Sequence, residues 1–448
     1  MLLYRMPGRR KRNQLLGEGA LKLHPVFYLP KQALLYLIAV SVCVGLLVTV
    51  NDVNGQGLTQ PDEGSSITIS LVTFGPGEEA WQRFGHNAIW VRDPVHGINT
   101  LYNYGRFSFE EENFIFRFIQ GHMRYWVEAQ NPALTFPFYQ FMNRSIYVQE
   151  LALTFNQRIA LRDFLEWNLK PENAFYDYDY YTDNCSTRLR DAIDGVVNGE
   201  LKRQTHTTST GATFRFHTRR LTTNSPWLYT SLLLVLGNPV DRLITVWEDM
   251  FIPMTLRDHI RTVMIPDEAG ELVPLVAREH IVFEGTATLP DDKPPLWVIW
   301  YLLCGMAVAM LFFILEILAR GSRFARFAFV GATGLWTFVI GLGGTILAGL
   351  WLLTDHFDSA YNENLFFVTP LALPLAILIP LAVYGPDGAV RPALIVCRLV
   401  AGLTLIGFGV QVLPIFDQVN AEIIALVLPP NIVLWVVLMR QLSARRKV

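Results

Sequence analysis

Apolar positions are patterned in two ways along this chain. Between residues 51 and 295 they alternate with polar residues or recur at helical spacing, as in an ordinary soluble domain. After residue 295 they run in long blocks. Blocks at 296–318, 327–353, 365–384, 393–413 and 421–439 approach the roughly 20 residues that a membrane span needs. A shorter block, Ala33–Val50, precedes these and is the first of six in chain order. The pattern predicts a basic N-terminus (1–32), an anchor helix (33–50), a soluble domain (51–295), a five-helix membrane region (296–439) and a basic tail (440–448). The leader before Ala33 is long and no small-x-small site follows Val50, so the anchor is expected to stay uncleaved.

Within the soluble stretch, Ser66–Thr73, Gly85–Arg92, Thr100–Gly105 and Arg144–Thr154 read as strands. Glu111–Ile119, Gln157–Lys170 and Ser186–Val197 read as helices, the second stopped by Pro171 and the third near Gly199. Gly75-Pro76-Gly77 and Asp93–Gly97 are turns, and Tyr176–Tyr181 is an aromatic, acidic approach segment. The mixture predicts an α+β fold with short antiparallel strands.

Charge then orients the spans. Arg320, Arg323 and Arg326 lie between the second and third blocks, Arg391 between the fourth and fifth, and Arg440, Arg445, Arg446 and Lys447 after the sixth. The alternate loops, Asp355–Asn364 and Phe416–Glu422, contain acids and no Lys or Arg. The positive-inside rule puts both termini in the cytoplasm, as six spans require, and the soluble domain outside. A formal net charge of −2, without a clustered basic surface, argues against a nucleic-acid partner.

Three of the four cysteines, Cys43, Cys304 and Cys397, fall in apolar blocks; Cys185 alone lies in the soluble domain. An oxidising compartment pairs its cysteines or dispenses with them, so a lone thiol there is a candidate nucleophile. Asp183-Asn184 reads as a helix N-cap, which puts Cys185 in a first turn whose free N–H groups and dipole favour a thiolate and an oxyanion. His86, on a strand between apolar neighbours, is the best candidate base. Asn103 on the next strand is the candidate orienting group, with Tyr102 and Tyr104 beside it. Arg188, one turn after Cys185, suits a phosphate or carboxylate, and a surface salt bridge fits it equally well. No Cys or His pair in the domain has zinc-ligand spacing, and nothing calls for a cofactor.

The order of a strand bearing Gly85-His86-Asn87 followed by a helix opened by Asn184-Cys185 resembles the circularly permuted papain-like fold of the lecithin retinol acyltransferases. Phe84–Ala88, Tyr102–Gly105 and Thr182–Arg188 resemble the Lnb periplasmic-domain family. The outward loop Thr354–Asn364 looks like a further family motif. This resemblance implies a thiol acyltransferase acting on a lipoprotein or phospholipid substrate in the bilayer, at the outer face of a bacterial cytoplasmic membrane. Cys185 would form the thioester and His86 would serve as base. Asn184, Arg188 and Tyr104 would contact substrate, and His356, Asn362 and Asn364 would bind a substrate head group or dock the domain on its membrane anchor. The aromatic-rich segments Phe107–Trp126 and Phe136–Phe141 suit an acyl groove, and core packing suits them as well. Two other classes remain open from the residues alone: a cell-wall cysteine peptidase or amidase using the same pair, and a non-enzymatic scaffold or sensor on a membrane anchor.

Overall fold

A computed structural model describes residues 66–286 and 291–445. The anchor expected at Ala33–Val50, and Cys43 with it, lie outside the described residues. The soluble part is built on a seven-stranded antiparallel sheet in the order β11-β5-β1-β2-β3-β4-β6. Its first six strands are β1 (Thr68–Phe74), β2 (His86–Asp93), β3 (Ile98–Arg106), β4 (Met123–Gln130), β5 (Ile146–Leu151) and β6 (Phe175–Tyr178). Two small ribbons, β7 (Ser209–Thr213) with β8 (Leu243–Thr245) and β9 (Met264–Pro266) with β10 (Leu272–Pro274), precede the edge strand β11 (Val276–Phe283).

The central strand β1 was read as alternating polar and apolar, yet Ser70 and Thr73 are buried with the rest. Both faces of the sheet are covered. Ile67, Ile69 and Leu71 pack with Ile89, Val91, Tyr102, Tyr104 and Leu189 on one face. Val72 and Phe74 pack with Ala88, Leu101, Ile146 and Val148 on the other, under Phe136 and Tyr139 of helix Pro132–Phe141. Small hydroxyl side chains are tolerated there because each adds little volume.

Helix Phe155–Asn168 begins two residues earlier than its apolar period suggests. Thr154 and Gln157 form a capping box that fixes the start. Helix Cys185–Val196 is capped by Asn184, whose Oδ1 accepts from Ser186 N (2.8 Å) and Thr187 N (3.0 Å).

Among the described residues, four helices are long and apolar enough to cross a membrane: Val298–Ala319, Arg323–Leu353, Asp387–Val410 and Ala421–Leu442. The block expected as one straight span at 365–384 is instead two pieces, Glu363–Ala372 and Leu375–Tyr384, bent by 45°. Pro370 and Pro374 interrupt the helical ladder there. Helix Arg323–Leu353 accepts this break only through glycine. A Cβ on Gly341 would lie 2.3 Å from Leu373 N, and one on Gly344 2.4 Å from the carbonyl carbon of Thr369.

The loops 354–364 and 411–420 are tied to the soluble domain. Asn362 Nδ2 donates to Leu234 O and Val235 O (both 2.9 Å), and Asn364 Nδ2 donates to Leu233 O (2.9 Å) and Leu234 O (3.0 Å). These carbonyls end helix Pro226–Val235. Gln418 from the loop 411–420 joins them through Leu236 O (3.3 Å).

Candidate active site

The site forms where β2 starts and β3 ends. His86 opens β2 after Gly85, whose φ of +88° favours glycine and whose Cβ would stand 3.0 Å from Phe74 O. Gly105 near the end of β3 has φ +89°, and a Cβ there would come 3.4 Å from Cys185 Cβ. The β3–β4 register slips between Asn103 and Arg106, so the strand bulges beside the cysteine. The backbone N–H groups of Asn87, Cys185 and Ser186 favour negative charge on the Cys185 sulfur. Asn87 Nδ2 donates to Ser186 Oγ (3.1 Å), so the start of the cysteine helix lies against the start of β2.

A chain of amides fixes the imidazole. His86 Nε2 is 2.9 Å from Asn103 Oδ1, Asn103 Nδ2 donates to Gln130 Oε1 (2.8 Å), and Gln130 Nε2 donates to Glu128 Oε2 (2.6 Å). The Glu128 carboxylate, which is also paired with Arg106 (2.8 Å), only accepts. It therefore sets the sense of the whole chain. Gln130 turns its nitrogen to Glu128 and its oxygen to Asn103, and Asn103 turns its oxygen to His86. Nε2 carries the proton and Nδ1 keeps a free lone pair.

Burial dominates both titrations. His86, which neighbours Phe74 in a stacked arrangement, is lowered to about 4 by desolvation; the Asn103 hydrogen bond opposes this, and the Arg144 and Arg106 charges add to it. Cys185 is raised to about 11 by desolvation, against the three N–H groups and Arg144, which favour the thiolate. The expectation of a thiol depressed by its helix N-terminus is corrected here. The donors are present, and desolvation outweighs them. At neutral pH the pair is an uncharged thiol and an uncharged imidazole.

Asn184 is buried, and its amide is fully used within the fold. Besides capping the helix, its Nδ2 donates to Tyr180 O and Phe251 O (both 2.9 Å). Arg188 pairs with Asp183 and lies 4.2 Å over the Tyr176 ring. Both line a cavity of about 370 Å³ with Tyr104, whose buried hydroxyl has no partner. His356, Asn362 and Asn364 are not brought to this centre. His356 Nε2 lies 2.9 Å from Phe118 O, and the two asparagines hold helix Pro226–Val235.

Several site residues escaped the sequence reading. Arg144 is buried, donates to Gly75 O (2.8 Å), stacks 4.8 Å from the Tyr139 ring centre and exerts its charge on both His86 and Cys185. Tyr176 and Tyr178 stand beside Gly105 and Cys185. Gln130 and Glu128 lie on β4, whose alternation (Met123, Tyr125 and Val127 buried) was a legible signal.

An α+β domain with a Cys–His–Asn cluster, carried by helices apolar enough to span a bilayer, defines a membrane-anchored protein with a candidate thiol site. Residues 58–224 match the family model of the Lnb N-terminal periplasmic domain. The match contains His86, Asn103 and Cys185, and the membrane helices lie beyond it. No curated protein and no solved structure matches the chain.

Proposed function

We propose that this protein is a thiol acyltransferase that moves an acyl chain from the glycerol ester of a lipoprotein's diacylglyceryl-cysteine to the α-amine. The observation that carries the reading is the hydrogen bond from Asn87 Nδ2 to Ser186 Oγ (3.1 Å). It sets the residues that follow His86 and Cys185 side by side, and so joins the two halves of the Lnb-family motif set at one point. Cys185 Sγ attacks the ester carbonyl while His86 Nδ1 takes the thiol proton. The N–H groups of Asn87 and Cys185 hold the tetrahedral oxyanion. The C–O bond breaks, His86 returns the proton to the glycerol oxygen, and a thioester remains. The neutral α-amine then attacks it, loses a proton, forms the amide and releases the thiol.

The permuted papain-like order is supported by a histidine strand that precedes the cysteine helix. A five-span membrane region is supported by the loops 354–364 and 411–420, which meet through Gln418 and Glu363 beside the soluble domain. Helix Val390–Val410 leads back to that side, so the bent pair crosses away from it. The Arg-rich loops then fall on the cytoplasmic side, and the domain falls at the outer face. A wall peptidase could use the same pair, but the apolar aromatic approach to Cys185 favours a lipid.

Mass spectrometry of lipoprotein N-termini tests the reading in a host that lacks its own N-acylation. The wild type should place an acyl group on the α-amine, and Cys185→Ala should abolish it. Unmodified N-termini in both, with both proteins inserted, would refute lipoprotein transfer.

A further inference from the structure

The short helix Phe114–Gln120 is apolar on the side that faces outward. Ile115, Phe116 and Ile119 are 71%, 63% and 52% exposed, and its one charged residue, Arg117, is paired with Glu111 (2.6 Å). A water-facing helix shows the opposite pattern. This helix abuts the end of the spanning helix Arg323–Leu353. Asp355 N donates to Gln120 O (2.9 Å), and His356 contacts Phe118 O. Leu352 and Leu353, immediately before that junction, are also exposed. The apolar surface of the span thus continues onto the helix.

From there an aromatic row leads inward. Phe114 and Phe107 stack at 6.0 Å, Phe107 and Tyr125 at 4.9 Å, and Tyr125 and Tyr178 at 4.3 Å. Tyr178 ends at Gly105, beside Cys185.

We propose that helix Phe114–Gln120 is a foot seated in the outer leaflet of the bilayer, and that the aromatic row guides a lipid acyl chain from this foot to Cys185. The foot stands on geometry alone; the guidance rests on the acyltransferase reading.

Nitroxide labels on the full chain in phosphatidylethanolamine–phosphatidylglycerol nanodiscs, with all native cysteines replaced, test the foot. Labels at Phe116→Cys and Ile119→Cys should collide with oxygen more than with a nickel chelate. A label at Val95→Cys, in the β2–β3 turn, should do the reverse. Equal water access at all three positions overturns the foot. The guidance is tested with Ile115→Ser, Phe116→Ser and Ile119→Ser combined. Acylation of Cys185 by a bilayer-embedded diacylglyceryl donor should fall at least tenfold. Acylation by water-soluble p-nitrophenyl butyrate should stay within twofold. An unchanged bilayer rate, or an equal loss with both donors, overturns the guidance. If wild-type Cys185 accepts an acyl group from neither donor, the acyltransferase reading fails, and the nitroxide depth still decides the foot.

Discussion

Cys185 and His86 each lie in an environment that keeps them uncharged, and this sets how the site must respond to pH. The thiol titrates near 11, so at pH 7 it is protonated; the imidazole titrates near 4, so at pH 7 it is a free base. Proton transfer therefore has to accompany attack, as in a serine–histidine pair, rather than precede it. Two consequences are measurable. Iodoacetamide, which needs a preformed thiolate, should label Cys185 slowly at pH 7 and progressively faster toward pH 11, as read by peptide mapping. Acylation by a soluble ester should be flat from about pH 5 to 9 and decline toward pH 4 as His86 gains its proton. Rapid alkylation at pH 6 would show that the three N–H donors outweigh burial after all. The sequence displays those donors, through Asn184 as N-cap, but it does not display how tightly Phe74 and Tyr139 pack around the pair. The direction of the thiol shift was therefore not legible.

Strand register, rather than sequence proximity, assembles the support for His86. Asn103 stands opposite Glu128, and Leu101 stands opposite Gln130, so the acid and the amide fall on the Asn103 side of β4. A slip of one residue would turn all of them to the other face. Gln130→Leu removes the acceptor for Asn103 Nδ2 while keeping a residue that suits a strand. Asn103 is then free to flip and offer its nitrogen to Nε2, which disfavours the working tautomer. The expected loss in single-turnover acylation is about 10–100-fold, typical of removing an orienting partner. Because Gln130 acts through Asn103, the acid limb of the pH profile should move as well. An unchanged rate and limb would assign Gln130 to packing. Elements with strong local signals were legible: the β1–β2 hairpin, helix Cys185–Val196 and the apolar blocks. β6 was masked by its aromatics, which suit an approach segment as well as a strand. The bend at Thr369–Pro374 depends on a glycine face of a neighbouring helix that lies about 30 residues away in the chain.

At the scale of the whole molecule, the soluble domain is held on its membrane helices by polar contacts, and that attachment aims the site. Glu422, buried at the start of helix Ala421–Arg445, pairs with Arg219 and accepts from Tyr229 Oη (3.0 Å), while Arg219 Nε donates to Tyr229 Oη (2.9 Å). Asn362 and Asn364 clamp the same helix Pro226–Val235 that carries Tyr229. The sequence showed that the loop Thr354–Asn364 lies on the domain side; its use as a clamp needed the carbonyls of a helix more than a hundred residues away. Removing one partner of a buried ion pair leaves the other charge desolvated, at a cost of about 3–5 kcal/mol. Replacing both with apolar residues avoids that cost. Glu422→Leu should therefore lower the thermal midpoint in detergent, and Arg219→Met with Glu422→Leu should recover most of the loss. If Glu422→Leu melts like the wild type, the pair does not hold the two parts together. If the double variant recovers stability and still loses acylation from a bilayer donor while retaining it from a soluble ester, then this ion pair holds the site toward the membrane as well as holding the fold.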